Sequence, residues 1–245
     1  MKHLPFVVTV LALFLLGTTS AHGGRIRVSA AASLSEAVGD LATAYRAANP
    51  GDEVVPNFGA SGALAKQVEV GAPVDILLSA STEGLDYMKT RNLAVRSFPL
   101  TRNSLVFVGP SITTAAGMKD LPALKRIALG SPASVPSGKY ASEAMKAAGV
   151  AKSMEGKTVF TKDVREAQMY AERGEVDGAF VFKTDALVAR NAKILFEVPP
   201  SLHSDILYPA ILTPDGAKNR AAVRFFDFLV SGPAKAILTS RGFTP

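Results

Sequence analysis

Four positions in this 245-residue chain put a hydroxyl or a carboxylate where a strand-like run gives way to a helix-like one: Ser33 in AASLSEA, Ser61 in FGASGALA, Ser137 in SVPSGKY and Asp163 in TKDVREA. A helix start leaves backbone N–H groups without acceptors and carries positive partial charge. A small residue there, with glycine beside it, can therefore receive an oxyanion without help from lysine or arginine. Gly59 and Gly62 flank Ser61, and Gly138 follows Ser137. The same residues also suit ordinary capping, since Ser33 with Glu36 and Asp163 with Glu166 fit the S/T/D-x-x-E capping box. For each serine taken singly, an N-cap serving its own helix is the competing explanation.

Other chemistries fail on residue type or spacing. The chain has no cysteine, which removes thiolate metal sites, iron–sulfur clusters, cysteine nucleophiles and redox pairs. Ser137-Gly138-Lys139 looks like the tail of a P-loop, but Ala133 stands where the first glycine is required and Tyr140 where the magnesium-binding Ser or Thr belongs. Gly59 to Gly62 is too short for a dinucleotide fingerprint. A serine hydrolase would have to use His203, the one histidine away from the N-terminus, which lies in a polar loop; no G-x-S-x-G elbow is present. Carboxylates do not cluster as a transition-metal site would need. The net charge of +6 comes from 27 Lys and Arg against 21 Asp and Glu, without a basic run, and gives no reason to expect nucleic acid.

The elements that would position these residues follow an alternating rhythm. Strands are expected at 25–30, 53–58, 75–79, 104–109, 126–130, 157–160, 178–182, 193–198 and 206–212. Helices are expected at 34–48, 61–70, 82–90, 137–147, 163–173, 184–190, 215–230 and 233–241. Continuous apolar runs such as DILLS are what a strand covered on both faces of a parallel sheet looks like, so the class is α/β. The runs SLVFV and ILYPAIL sit about a hundred residues apart and suggest two lobes joined by two crossings: 22–103 and 208–245 as one, 104–207 as the other. A cleft between lobes is a natural ligand site. A single decorated α/β domain is the alternative.

Residues 1–21 read as a cleaved signal peptide. Lys2 precedes an apolar run over 4–16, and small residues at Thr19 and Ala21 suit cleavage after Ala21. That run is shorter than the roughly 20 residues a membrane-spanning helix needs. With no cysteine there is no lipid attachment point, so the expected location is the periplasm.

The junction sequences together resemble the periplasmic molybdate-binding proteins that serve ABC transporters. The likeness is carried by AAASL at 30–34, FGASGALAKQ at 58–67, GAPVDILLSAS at 71–81, NSLVFV at 103–108, VPSGKYASEA at 135–144, KDVREA at 162–167 and the closing Gly242-Phe243. The resemblance implies a type II periplasmic-binding fold, in which each lobe is a mixed sheet flanked by helices and two strands cross the hinge. It implies a carrier, not an enzyme, with no cofactor. The ligand would be a tetrahedral oxyanion, molybdate and also tungstate, with the molybdenum held only as molybdate and by no direct protein ligand. Carried over, Ser33 and Ser61 would each give a hydroxyl and an N–H, and Ser137 and Val164 would give backbone N–H groups. The family's tyrosine hydroxyl has no counterpart, because Phe182 in GAFVFKTDA occupies its position; water, the Ser137 hydroxyl or Thr184 would then have to replace it. The implied partner is an ABC permease in the inner membrane, with the carrier a monomer. A different oxyanion such as sulfate, or an exported hydrolase, are the readings that compete.

Overall fold

The computed structural model describes residues 23–244, so the expected signal peptide lies outside the described residues. The strands are β1 (Arg25–Ala31), β2 (Glu53–Gly59), β3 (Ile76–Leu78), β4 (Arg96–Arg102), β5 (Leu105–Gly109), β6 (Ile127–Gly130), β7 (Thr158–Thr161), β8 (Gly178–Phe182), β9 (Lys193–Glu197) and β10 (Leu207–Leu212). The helices are α1 (Ser35–Ala48), α2 (Ser61–Glu69), α3 (Thr82–Thr90), α4 (Pro136–Ala147), α5 (Val164–Glu172), α6 (Lys183–Ala186), α7 (Pro214–Lys218), α8 (Arg220–Phe228) and α9 (Gly232–Ser240).

They build two five-stranded sheets, ordered β2-β1-β3-β10-β4 and β7-β6-β8-β5-β9. In each sheet three strands run parallel, and a fourth lies antiparallel between them and an edge strand. The two sheets thus share one design, although no repeat is visible in the sequence. β3, β5 and β8 are buried along their whole length, which accounts for their unbroken apolar runs. The fold is the two-lobed α/β arrangement. The sheets are mixed, not purely parallel as the βα rhythm alone suggests.

Several element boundaries differ from expectation for identifiable reasons. β4 was not expected: it is an edge strand with Pro99 inside it, and its pairing with β10 shifts register at Tyr208/Pro209, where the two prolines face each other. Proline lacks the N–H that a regular ladder needs, so both sit at the irregularity. The expected helix at 215–230 is two helices, because Asn219 leaves the helical path and its Oδ1 accepts from the N–H groups of Ala221 and Ala222 at 3.1 and 3.4 Å. The helix expected at 184–190 stops at Ala186.

One continuous core runs through both sheets. α1 contributes Ala37, Val38, Leu41 and Tyr45, one apolar face at helical spacing. Tyr45 meets Phe225 edge-on at 5.0 Å, a geometry worth about 1 kcal/mol beyond its burial. Two buried carboxylates tie strands together. Asp75 accepts from the backbone N–H and the guanidinium of Arg27, and Asp52 accepts from Gly24 N–H, Tyr45 and Arg224. Burial pushes both carboxyls up, but these hydrogen bonds outweigh it and hold them below the ordinary range.

Candidate functional site

The carboxyl ends of β1, β2, β6, β7 and β8, each followed by a helical segment, contribute to one cavity between the sheets, where α/β folds place their ligands. Its lining takes Ala31, Ala32 and Ser33 from the end of β1, and Gly59, Ala60 and Ser61 from the end of β2. Ala80 follows β3. Val135, Pro136, Asp163, Val164 and Phe182 complete it from the other sheet. The cavity is tight, with a volume of about 10 Å³, room for about one water molecule. Asp163 is the one ionisable side chain on the lining, and its Oδ1 is engaged by the N–H of Glu166 at 2.9 Å.

The structure brings Ser33, Ser61, Val164 and Phe182 to this cavity; Ser137 lies directly behind Pro136, off the lining. All five are at most 4% exposed. Among the described residues, the backbone N–H groups of Ser33, Ser61, Ser137 and Val164 meet no acceptor. This is the expected state of first-turn amides: Ser61 and Val164 open α2 and α5, Ser137 is the second residue of α4, and Ser33 sits in the 3-10 turn Ala32–Leu34 before α1.

The capping explanation fails for all three serines. Ser33 is not the cap of α1, which is Leu34, and Glu36 takes the Ser35 hydroxyl and Arg165 instead of closing a box with Ser33. The cap of α2 is Ala60, and that of α4 is Val135. Only Asp163 caps as expected. Even there the box is displaced, with Glu166 accepting from the N–H of Lys162 at 2.8 Å. The serine hydroxyls are engaged otherwise. Ser61 Oγ accepts from Ala80 N–H at 2.9 Å, Ser33 Oγ lies 2.9 Å from Tyr208 Oη, and the buried Ser137 Oγ has no partner.

Gly138 also has a different role from the one its sequence context suggests. A Cβ there would stand 1.7 Å from the carbonyl oxygen of Gly130, so this glycine lets α4 pack onto the end of β6. His203 is half-buried against Tyr140, at 5.9 Å between rings, instead of lying solvated in its loop. Its Nδ1 meets Ser204 O at 2.8 Å, and it bonds none of the three serines. Thr184 is off the lining, its hydroxyl oxygen accepting from Asn103.

Contacts from one sheet's helices to the other's surround the cavity. The N–H of Gly62 donates to Ser134 O at 3.1 Å. Arg165, next to Val164, bonds Glu36 and donates to Ser35 Oγ at 3.1 Å, and Lys139 pairs with Glu83. Burial raises the Glu36 carboxyl, but the Ser35 hydroxyl and Arg165 outweigh it and bring it below its ordinary value. Arg165 Nε also stands 2.8 Å from Asp185 Oδ1 without the alignment of a hydrogen bond. Asp185 is fully buried, and burial pushes its carboxyl up to about 7 against the opposing pull of Arg165.

A cavity walled by small and apolar residues, with its one carboxylate engaged by the Glu166 N–H, supplied with unpaired helix-start N–H groups and lacking any basic side chain, suits a fully deprotonated anion. Residues 26–244 match the family of bacterial extracellular solute-binding proteins.

The chain belongs to that family.

This solute-binding protein is 35% identical to the molybdate-binding protein ModA of Haemophilus influenzae, an alignment covering all of the chain and 99% of the relative. It is 33% identical to the molybdate-binding protein ModA of Escherichia coli, over 98% of the chain and 96% of the relative. The periplasmic molybdate-binding protein of Azotobacter vinelandii shares its fold, with a TM-score of 0.80 at 20% identity over 90% of this chain and 99% of that one. By family, then, the chain is a transport-associated binding protein and not an enzyme, and what enters its cleft is cargo, not a cofactor.

Tyr208 and Ala80, which bond Ser33 and Ser61, and Asn103, which bonds Tyr208, are partners that the sequence does not reveal. Ala80 acts through its backbone, and Tyr208 is hidden in the apolar run ILYPAIL.

Proposed function

We propose that the protein binds molybdate, and equally tungstate, in the cavity between its two sheets and delivers it to an ABC permease, working as a monomer in the periplasm after removal of residues 1–21. The observation that carries this reading is the convergence of four acceptor-less helix-start N–H groups at and just behind a lining with no lysine or arginine. The likeness over the full length to two molybdate-binding proteins supports the choice of anion. Among the described residues no helix is long and apolar enough to cross a membrane.

Ser33, Ser61, Ser137 and Val164 hold the oxyanion in this reading. The lobes are 22–103 with 208–245, and 104–207; the membership of the two sheets supports this division, with Leu207 already paired in the first lobe's sheet. Ser33 and Ser61 come from one lobe, Ser137 and Val164 from the other, so an anion touching all four stabilises the closed arrangement by its contacts. Each contact is a donor. A protonated anion brings an O–H to meet another donor and leaves it unsatisfied, a penalty of about 1–3 kcal/mol that disfavours hydrogen phosphate.

Equilibrium dialysis against a mixture of molybdate, tungstate, sulfate and phosphate, with elemental analysis of the protein compartment, tests this. The expected result is one molybdenum or tungsten per chain with sulfur and phosphorus excluded. Preferential retention of sulfate would reassign the ligand, and retention of none would reject the oxyanion reading.

A further inference from the structure

The Ser33 hydroxyl stabilises an anion only if its proton points into the cavity, and the bonds behind it decide that direction. Asn103 lies between β4 and β5, at one crossing between the sheets. Its Oδ1 accepts from the N–H of Ser104 at 2.9 Å, which fixes the amide and leaves Nδ2 to serve two oxygens, Oγ1 of Thr184 at 2.9 Å and Oη of Tyr208 at 3.3 Å. Tyr208 stands on β10, close to the other crossing. Its oxygen accepts the Asn103 N–H, which leaves its own O–H to donate to its second partner, Ser33 Oγ at 2.9 Å. Ser33 accepts there, and its own proton is left for the cavity.

The surroundings keep this arrangement in place. Tyr208 is 0% exposed, and the ring of Phe182, itself on the cavity lining, stands edge-on to it at 5.7 Å. Burial raises the Tyr208 phenol well above its ordinary range, so it stays a donor at any pH the protein meets. In a buried chain of this kind each bond polarises the next, so an Asn103 N–H aimed at Tyr208 strengthens the donor that Ser33 presents.

We propose that Tyr208 is a positioning residue: the chain Asn103 to Tyr208 to Ser33 makes the Ser33 hydroxyl a one-way donor toward the bound oxyanion. This rests on the oxyanion reading above. It explains why a serine that caps nothing is tied to a residue 175 positions away.

A double-mutant cycle on molybdate dissociation constants, measured by titration calorimetry, tests it with the protein, Tyr208→Phe, Ser33→Ala and the double variant. Tyr208→Phe keeps the ring and removes the hydroxyl. It is expected to weaken binding about three- to tenfold when Ser33 is present and less than twofold when residue 33 is alanine. Loss of packing alone would weaken both backgrounds alike, so equal effects, or no effect of Tyr208→Phe on the native background, overturn the proposal. If Tyr208→Phe does not fold, Asn103→Ala put through the same cycle gives the same discrimination, with a coupling of about two- to threefold expected and additivity overturning it. A native protein that gives no heat with molybdate, tungstate or sulfate overturns the oxyanion reading and this proposal with it. That failure shows in the first titration, before any variant is compared.

Discussion

The hydroxyl oxygen of Ser61 accepts the backbone N–H of Ala80 at 2.9 Å, joining the start of α2 to the second residue after β3. That bond occupies the oxygen and leaves the Ser61 proton for the cavity. Ser61→Ala removes a donor to the anion and leaves the buried Ala80 N–H unpaired. Hydrogen bonds to charged groups contribute about 1.5–3 kcal/mol, so molybdate affinity is expected to fall by roughly 10- to 150-fold. Stability falls as well, by about 1–3 kcal/mol for the orphaned amide. Titration calorimetry and urea denaturation of the same variant separate the two effects.

Phe182 lines the cavity between Tyr140 and Tyr208, with ring separations of 6.3 and 5.7 Å, and has no hydroxyl to give. Phe182→Tyr adds a donor on the cavity wall. Tightening of molybdate binding by about tenfold is the expected result. Unchanged affinity in competition titrations would show that another group, the partnerless Ser137 hydroxyl foremost, already fills the role.

Gly62 carries a contact between the lobes, and a Cβ there would stand 2.9 Å from the Ser134 carbonyl oxygen that its N–H bonds. Gly62→Ala is expected to hold the lobes apart and weaken binding by about 2- to 12-fold, the value of one hydrogen bond, while changing the melting temperature of the unliganded protein little. Small-angle scattering with and without molybdate would show the incomplete closure.

The Asp185 carboxyl, raised to about 7 by burial in the folded state, binds a proton that the unfolded chain releases near pH 4. Between those values the folded state holds more protons than the unfolded one, so this group's contribution to stability declines as pH rises from about 4 to 7 and is gone above that. Asp185→Asn removes the titration. Relative to the native protein, the variant is expected to gain stability over the same window, on the order of 1–4 kcal/mol by pH 8. Denaturation midpoints at pH 5 and pH 8 give the comparison; a pH-independent difference would contradict it.

What the sequence discloses follows the range of the interactions involved. β3, β5 and β8 are legible because covered strands need unbroken apolar runs, and α1, α2 and α5 because their buried residues recur at helical spacing. The edge strand β4 is not, since its burial does not alternate, Pro99 interrupts it, and it pairs with a strand more than a hundred residues later. Of the serines at helix starts, the fold brings Ser33 and Ser61 to one cavity lining, yet local spacing misreads what the serines bond. Ser33 and Glu36 spell a capping box, whereas the true partners are Tyr208 and Arg165, which only the closed fold brings near. The role of Ala80 leaves no trace in its side chain. Phe182 is visible as a departure from a family pattern, but its seat between two buried tyrosines is not.

The most direct test of the central claim, that fixed neutral donors and no basic residue hold the anion, is a crystal structure of the molybdate-loaded protein with anomalous scattering measured at the molybdenum edge. The account predicts a single anomalous peak in the cavity lined by Ser33, Ser61, Val164 and Phe182, with the anion's oxygens within hydrogen-bonding distance of the N–H groups of Ser33, Ser61, Ser137 and Val164. A peak elsewhere, or a lysine or arginine nitrogen on the anion, would contradict it.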